Sequence, residues 1–227
     1  MVDPAAAEAP EDASELNDVD NNKAFAQQIR PLGIIAYWGL VAFLLAYSGV
    51  LMGGLYFQFG LGEYPCPLCM IQRYGMMLAT LGAMWILVEG RRGKLNAARY
   101  AQGLGMAVVG SVVGGAASTR QILLHILPGD SGYGEPVLGL HLYTWALITF
   151  AIVVIYVGLA LILAPRAIPV IPKKHGIGWK ITTFVMWLFM AIVIINLVMI
   201  VFLEGFAWIL PDNPTSYNLI DQLTGNR

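Results

Sequence analysis

Apolar side chains fall along this chain in five blocks, at 32–57, 68–88, 101–127, 137–164 and 181–203, separated by stretches rich in charge, proline or glycine. A helix needs roughly 20 mostly apolar residues to cross about 30 Å of hydrocarbon, so each block predicts a membrane-spanning helix. Charge is distributed unevenly between the blocks. Arg91, Arg92, Lys94 and Arg99 separate the second from the third, and Arg166, Lys173, Lys174 and Lys180 separate the fourth from the fifth. Lys and Arg accumulate on cytoplasmic loops, which places both connections inside, together with Lys23 and Arg30. The other connections and the C-terminal end then lie outside. They hold Glu63, Asp130, Glu135, Glu204, Asp212 and Asp221, with Arg73, Arg120 and Arg227 as fixed cations.

Composition agrees with this pattern. Of 227 residues 58% are hydrophobic and 12% charged, against about 25% charged in a soluble domain, so the fold class is an all-α polytopic membrane helix bundle. The net charge of −1 and the lack of a basic stripe exclude nucleic acid as a partner. Residues 1–30 carry Asp3, Glu8, Glu11, Asp12, Glu15, Asp18 and Asp20 among Ala, Pro and Asn. They are expected to form a disordered acidic cytoplasmic tail, and their acidic start has no secretory-signal pattern. The chain then divides into a four-helix core at 31–165, a basic cytoplasmic linker at 166–180, a fifth helix at 181–204 and an extracytoplasmic tail at 205–227. Gly49 and Gly53, and Gly110 and Gly114, have the small-residue spacing of close helix packing. Trp38, Trp85, Trp145, Trp179, Trp187 and Trp208 are expected as interface anchors or packing residues.

The only two cysteines form one unit, Cys66-Pro67-Leu68-Cys69, at the mouth of the second span. Thiols at this spacing suit dithiol exchange, because one sulfur can resolve the mixed disulfide made by the other. A helix N-terminus favours a thiolate, and Pro67 is tolerated in a first turn. Arg73, four residues after Cys69, shares its helix face and is expected to hold Cys69 as thiolate. A guanidinium inside an apolar span points to a functional cavity; snorkelling to the headgroups is the alternative. The pair could also be a structural disulfide. A metal site needs about four ligands, which His125, His141 and His175 do not complete, so no metal is expected.

The run Cys66-Pro67-Leu68-Cys69-Met70-Ile71-Gln72-Arg73 resembles the Cys-X-Leu-Cys-X-X-Gln/Glu-Arg signature of the disulfide bond formation protein B family. The resemblance implies a membrane dithiol oxidase of the bacterial inner membrane that passes electrons from an extracytoplasmic thioredoxin-like dithiol protein to a quinone, ubiquinone or menaquinone. It implies that Cys66 exchanges with thiols, that Cys69 faces the quinone and that Arg73 binds a quinone carbonyl. Arg120, Gln121 and His125 at the end of the third span resemble the family's polar cluster near the quinone. His141, in a segment similar to the opening of the fourth span, joins them as a candidate suited to proton transfer, or as a hydrogen-bonded interface residue.

The chain departs from the family pattern twice: the loop before the fourth span has no second cysteine pair, and a fifth span and tail follow the four-helix core. Both departures favour an alternative, a non-catalytic or vestigial accessory subunit of a larger membrane (respiratory) complex on the same scaffold. A copper- or zinc-handling role lacks an outer Met or His cluster, and transport lacks ionisable residues inside the spans. Reporter fusions at both ends are expected to place the N-terminus in the cytoplasm and the C-terminus outside. Two cytoplasmic termini would contradict the fifth span.

Overall fold

The computed structural model describes residues 12–164, 168–206 and 214–225. Arg166, Trp208, Asp212, Arg227 and the first eleven residues, all named above, lie outside the described residues. Six helices follow one another: α1 (Asp12–Gly60), α2 (Pro67–Arg91), α3 (Ala97–Leu124), α4 (Leu142–Leu163), α5 (Ile177–Glu204) and the short α6 (Asn218–Thr224). Five contain stretches of 22 to 30 residues long and apolar enough to span a membrane, the first beginning at Pro31.

Boundaries differ from the hydropathy blocks where local chemistry intervenes. Helix α1 begins at Asp12, well inside the stretch expected to be disordered, and continues through Pro31; Ala, Glu, Leu and Gln in 12–30 are good helix formers. Helix α4 begins at Leu142 rather than at 137. Leu138 and Gly139 take positive φ values of 53° and 81°, and a tight turn pairs Val137 with Leu140. Helix α5 starts at Ile177, so Trp179 and Lys180 belong to it and not to the linker. The expected C-terminal tail includes α6.

Glycine sets the closest helix approach, between α2 and α3. A Cβ on Gly75 would lie 2.6 Å from the Gly110 carbonyl oxygen and 2.8 Å from the Gly114 Cα, so only a hydrogen fits there. Gly82 faces Gly103 in the same way, and Gly114 also receives the Phe150 ring of α4. Gly49 and Gly53 do not take part in such packing: a Cβ on either would meet nothing within 4 Å. Spacing alone does not say which face of α1 is covered. The core combines Tyr37, Leu40, Leu44, Leu51, Ile86, Leu87, Phe150 and Phe189, all nearly or fully buried. Ile155, Ile162, Phe184 and Trp187 stay exposed on α4 and α5, as lipid-facing side chains would.

Polar contacts attach α5 to the other helices. The Tyr37 and Thr182 hydroxyls lie 2.6 Å apart, and Arg91 donates to Thr183 Oγ1 and the Trp179 carbonyl, each at 2.9 Å. The Arg91 guanidinium lies 4.2 Å from the centre of the Trp179 ring. Nearby, buried Glu89 pairs with Arg92 and Arg99. The basic connections thus gather at one end of the bundle. Segments 61–66, 125–141 and 214–225 gather at the other, where Tyr133 and Tyr217 both reach Tyr64.

Helix α2 begins at this second end with Cys66 as its N-cap and Pro67 in the first turn. The Cys66 sulfur accepts the Cys69 backbone N–H at 3.1 Å, the bond that a capping side chain makes to a third-position amide. Serine can make the same bond and alanine cannot. Both variants lack the disulfide, and under reducing conditions, which keep Cys69 from pairing between molecules, C66A is expected to be about 1 kcal/mol less stable than C66S. Denaturation of both variants in detergent checks this, and equal stability would mean that the cap contributes nothing.

Candidate functional site

Cys66 and Cys69 are joined in a disulfide at the start of α2. Cys66 is 5% exposed, and Cys69 is half-buried and lines a cavity of about 440 Å³ between α1, α2, α3 and α4. Val50, Leu51, Phe57 and Met76 give the cavity apolar walls, while Cys69, Gln72, Arg73 and Gln121 supply its polar patch. Tyr64, Tyr133 and Leu138 line it from the segments before α2 and α4.

Arg73 is 9% exposed and does not snorkel. It turns toward α1, donating from Nη1 to Gln58 Oε1 and from Nη2 to the Gly54 carbonyl, both at 2.9 Å. Gly54 makes room for it, since a Cβ there would lie 3.2 Å from Nη2. Among the described residues the hydrogen bonds of Arg73 go to α1 rather than to Cys69; the two residues share the cavity wall. The helix-terminal N–H that meets sulfur is the one reaching Cys66. These contacts use only part of the guanidinium's donor set.

Gln121, 2% exposed, links α3 to the cysteines. Its Oε1 accepts from Gln72 Nε2 at 2.8 Å, which turns its own Nε2 toward Cys66 Sγ at 3.4 Å and Cys69 Sγ at 3.6 Å. Oε1 also lies 3.9 Å from Cys69 Sγ. A disulfide sulfur has no proton to give, so that approach can become a hydrogen bond only after reduction.

Of the residues singled out from sequence, Cys69, Arg73 and Gln121 meet at the cavity, and Cys66 lies behind Cys69. Arg120 is exposed and is not among the cavity residues. One position separates it from Gln121, and on a helix that rotates it to another face. His125 and His141 are also outside the lining. Each stacks on Tyr143, with ring centres 6.0 Å and 5.2 Å away, and Tyr143 does line the cavity. His125 Nδ1 bonds Asp130, and His141 Nδ1 lies 3.1 Å from the Gly134 carbonyl. Gln58, Glu63, Tyr133 and Trp145 were not singled out as site residues. In the sequence Gln58 is marked only as a glutamine one helical turn after a small residue of α1, a pattern that acquires meaning when Arg73 is across from it.

The loop 125–141 is tied to the segment before α2 beside the cavity. The Tyr133 hydroxyl donates to the Tyr64 carbonyl at 2.5 Å, and burial, then the Glu63 carboxylate, push its pKa up from the ordinary phenol value, so it remains a donor at neutral pH. The Gly132 N–H, followed by His125, holds Asp130 below the usual carboxylate range. This tie is present above the ordinary Asp pKa and is lost as pH falls through the depressed one. Trp145 donates to the Val137 carbonyl at 2.9 Å and joins the cavity wall, so it serves the site as well as the packing.

The family model described as "Disulfide bond formation protein DsbB" matches residues 36–134, from α1 through the cysteines into the loop between α3 and α4. A disulfide bond formation protein B from Polaromonas sp. is 30% identical over 166 residues, covering 69% of this chain and 85% of that protein. Those of Chromobacterium violaceum and Marinobacter nauticus are 34% and 37% identical over 100 and 93 residues, covering 44% and 41% of this chain. In these last two matches the chain spans 57% and 52% of the relative's length. No solved structure matches. A five-span helical bundle that carries a Cys-X-X-Cys disulfide on its second span, and that aligns with most of a relative's length, belongs to the disulfide bond formation protein B family.

Proposed function

We propose that this chain is a quinone-linked thiol oxidase of the bacterial inner membrane working with one disulfide. In this reading it takes electrons from an extracytoplasmic thioredoxin-like dithiol protein and delivers them to ubiquinone or menaquinone. The observation that carries the reading is the single cavity wall shared by Cys69, Arg73 and Gln121. A volume of about 440 Å³ lies within the roughly 300–1,000 Å³ of small-molecule sites. Apolar walls suit a ring and its isoprenoid tail, and a charged donor suits a carbonyl oxygen.

The chain's residues divide the work. A donor thiolate attacks the Cys66 sulfur, the Cys66–Cys69 bond breaks, and Cys69 leaves with the electron pair as a thiolate. The donor's second thiol then attacks the mixed disulfide and releases Cys66. The donor is thereby oxidised to a disulfide, and the pair is reduced by two electrons. Gln121 Oε1, fixed by Gln72 and 3.9 Å from Cys69 Sγ, can accept the proton of the Cys69 thiol as a hydrogen bond. Arg73, anchored to α1, presents charged donors to the cavity. A bound quinone supplies the two-electron, two-proton acceptor that returns the pair to the disulfide. His125 and His141 act on the cavity through Tyr143, and Arg120 holds no part in it.

The buried position of Cys66 favours the second reading, a non-catalytic subunit of a larger membrane complex, because direct exchange requires the outer segments to part. Substitution separates the two. C69S is expected to abolish quinone reduction by a dithiol donor while leaving the bundle assembled. R73M is expected to weaken quinone binding about tenfold to a hundredfold, the worth of a hydrogen bond to a charged group. If the wild type also fails to reduce quinone, while all three proteins still co-purify with a stoichiometric complex, the subunit reading replaces the oxidase.

A further inference from the structure

We infer that the C-terminal segment 214–225, which lies outside the family match at 36–134, supports the polar wall of the cavity through Tyr217, a positioning residue for Arg73. The inference rests on the quinone reading of the cavity. Arginine has only donors, so the Arg73 bond fixes the Gln58 side chain with Oε1 toward the guanidinium. The Gln58 amide nitrogen must then point the other way, and it donates to the Tyr217 oxygen at 3.4 Å. Gln58 is 3% exposed, so its amide nitrogen has little access to water as a replacement partner. The chain of contacts runs from α6 through α1 to the polar wall of the cavity.

A second contact reaches the same cavity. The Tyr217 ring packs edge-on against Tyr64, a lining residue, with centres 5.2 Å apart. The segment is held in place by its own bonds. Gly205 ends α5 at φ 67°, and the Phe206 N–H donates to Gln222 Oε1 at 2.9 Å. Leu219 is 8% exposed. A helix of seven residues has little stability of its own, so this docking is what orders it. Tyr217 touches no cavity atom through its hydroxyl. Its effect on a ligand passes through Gln58 and Arg73.

The test uses the full chain in lipid nanodiscs with decylubiquinone as probe. Binding is read from quenching of tryptophan emission, since Trp145 lines the cavity, and steady-state kinetics are measured with dithiothreitol as donor. Y217F removes the hydroxyl and keeps the ring against Tyr64. It is expected to raise the quinone Kd and KM about threefold to tenfold, the worth of one neutral hydrogen bond, with the KM for the dithiol unchanged. In a Q58A background the same substitution is expected to add less than about twofold, because contacts in one network are not additive. Equal Kd values for wild type and Y217F would overturn the inference, as would a full, additive effect in the Q58A background. A wild type that reduces quinone in either case leaves the oxidase reading standing. A wild type that binds no quinone takes both down.

Discussion

The bundle is organised around a guanidinium that cannot shed its charge. Arg73 stays protonated at any physiological pH, and a charge within a membrane span costs about 2.5–3.5 kcal/mol or more unless it finds partners. It finds them on α1, in the Gly54 carbonyl and Gln58 Oε1. That arrangement imposes further requirements. A side chain at position 54 would crowd the guanidinium, and Gln58 must have somewhere to send its amide N–H. The helix carrying the disulfide is therefore registered against α1 by a polar contact, while its other face is registered against α3 by glycine.

Two fixed registers leave the cavity between them. The seam of Gly75 and Gly82 against Gly110 and Gly103 brings α3 close enough for Gln121 to reach both sulfurs, and Phe150 packed on Gly114 sets the distance to α4. At the opposite end of the bundle Arg91, stacked on Trp179 and bonded to Thr183, attaches α5 to α2. At the site end, the Phe206 N–H just after α5 bonds Gln222 of α6, so the fifth helix also contacts the segment that carries Tyr217.

Much of this was legible in the sequence, for identifiable reasons. Five spans follow from block length and hydropathy, which need no tertiary information. The Cys-X-X-Cys unit and Arg73 were visible because cysteines and an intramembrane arginine are rare in such a chain. Helix ends set by turns were less visible: block 137–164 is mostly apolar, and the left-handed Leu138 and Gly139 that delay α4 to Leu142 leave little mark on its hydropathy. Residues whose role depends on a partner far along the chain were not visible at all. Gln58 and Tyr217 are 159 positions apart, and neither is unusual by itself. Neighbouring polar residues were also read together too readily: Gln121 faces the cysteines, whereas Arg120 is exposed on another face of the same helix.

The family membership explains the disulfide and its place on the second span, and the missing second cysteine pair makes the cavity beside Cys69 the centre of the account. Photolabelling with an azido-quinone in native-composition membranes tests that centre most directly. If the cavity holds the quinone, label that unlabelled ubiquinone displaces will map to the peptides of α1 around Leu51 to Phe57 and of α4 around Leu142 to Thr149. Displaceable label confined to the exposed faces of α4 and α5, around Ile162 or Trp187, or no displaceable label at all, would contradict it.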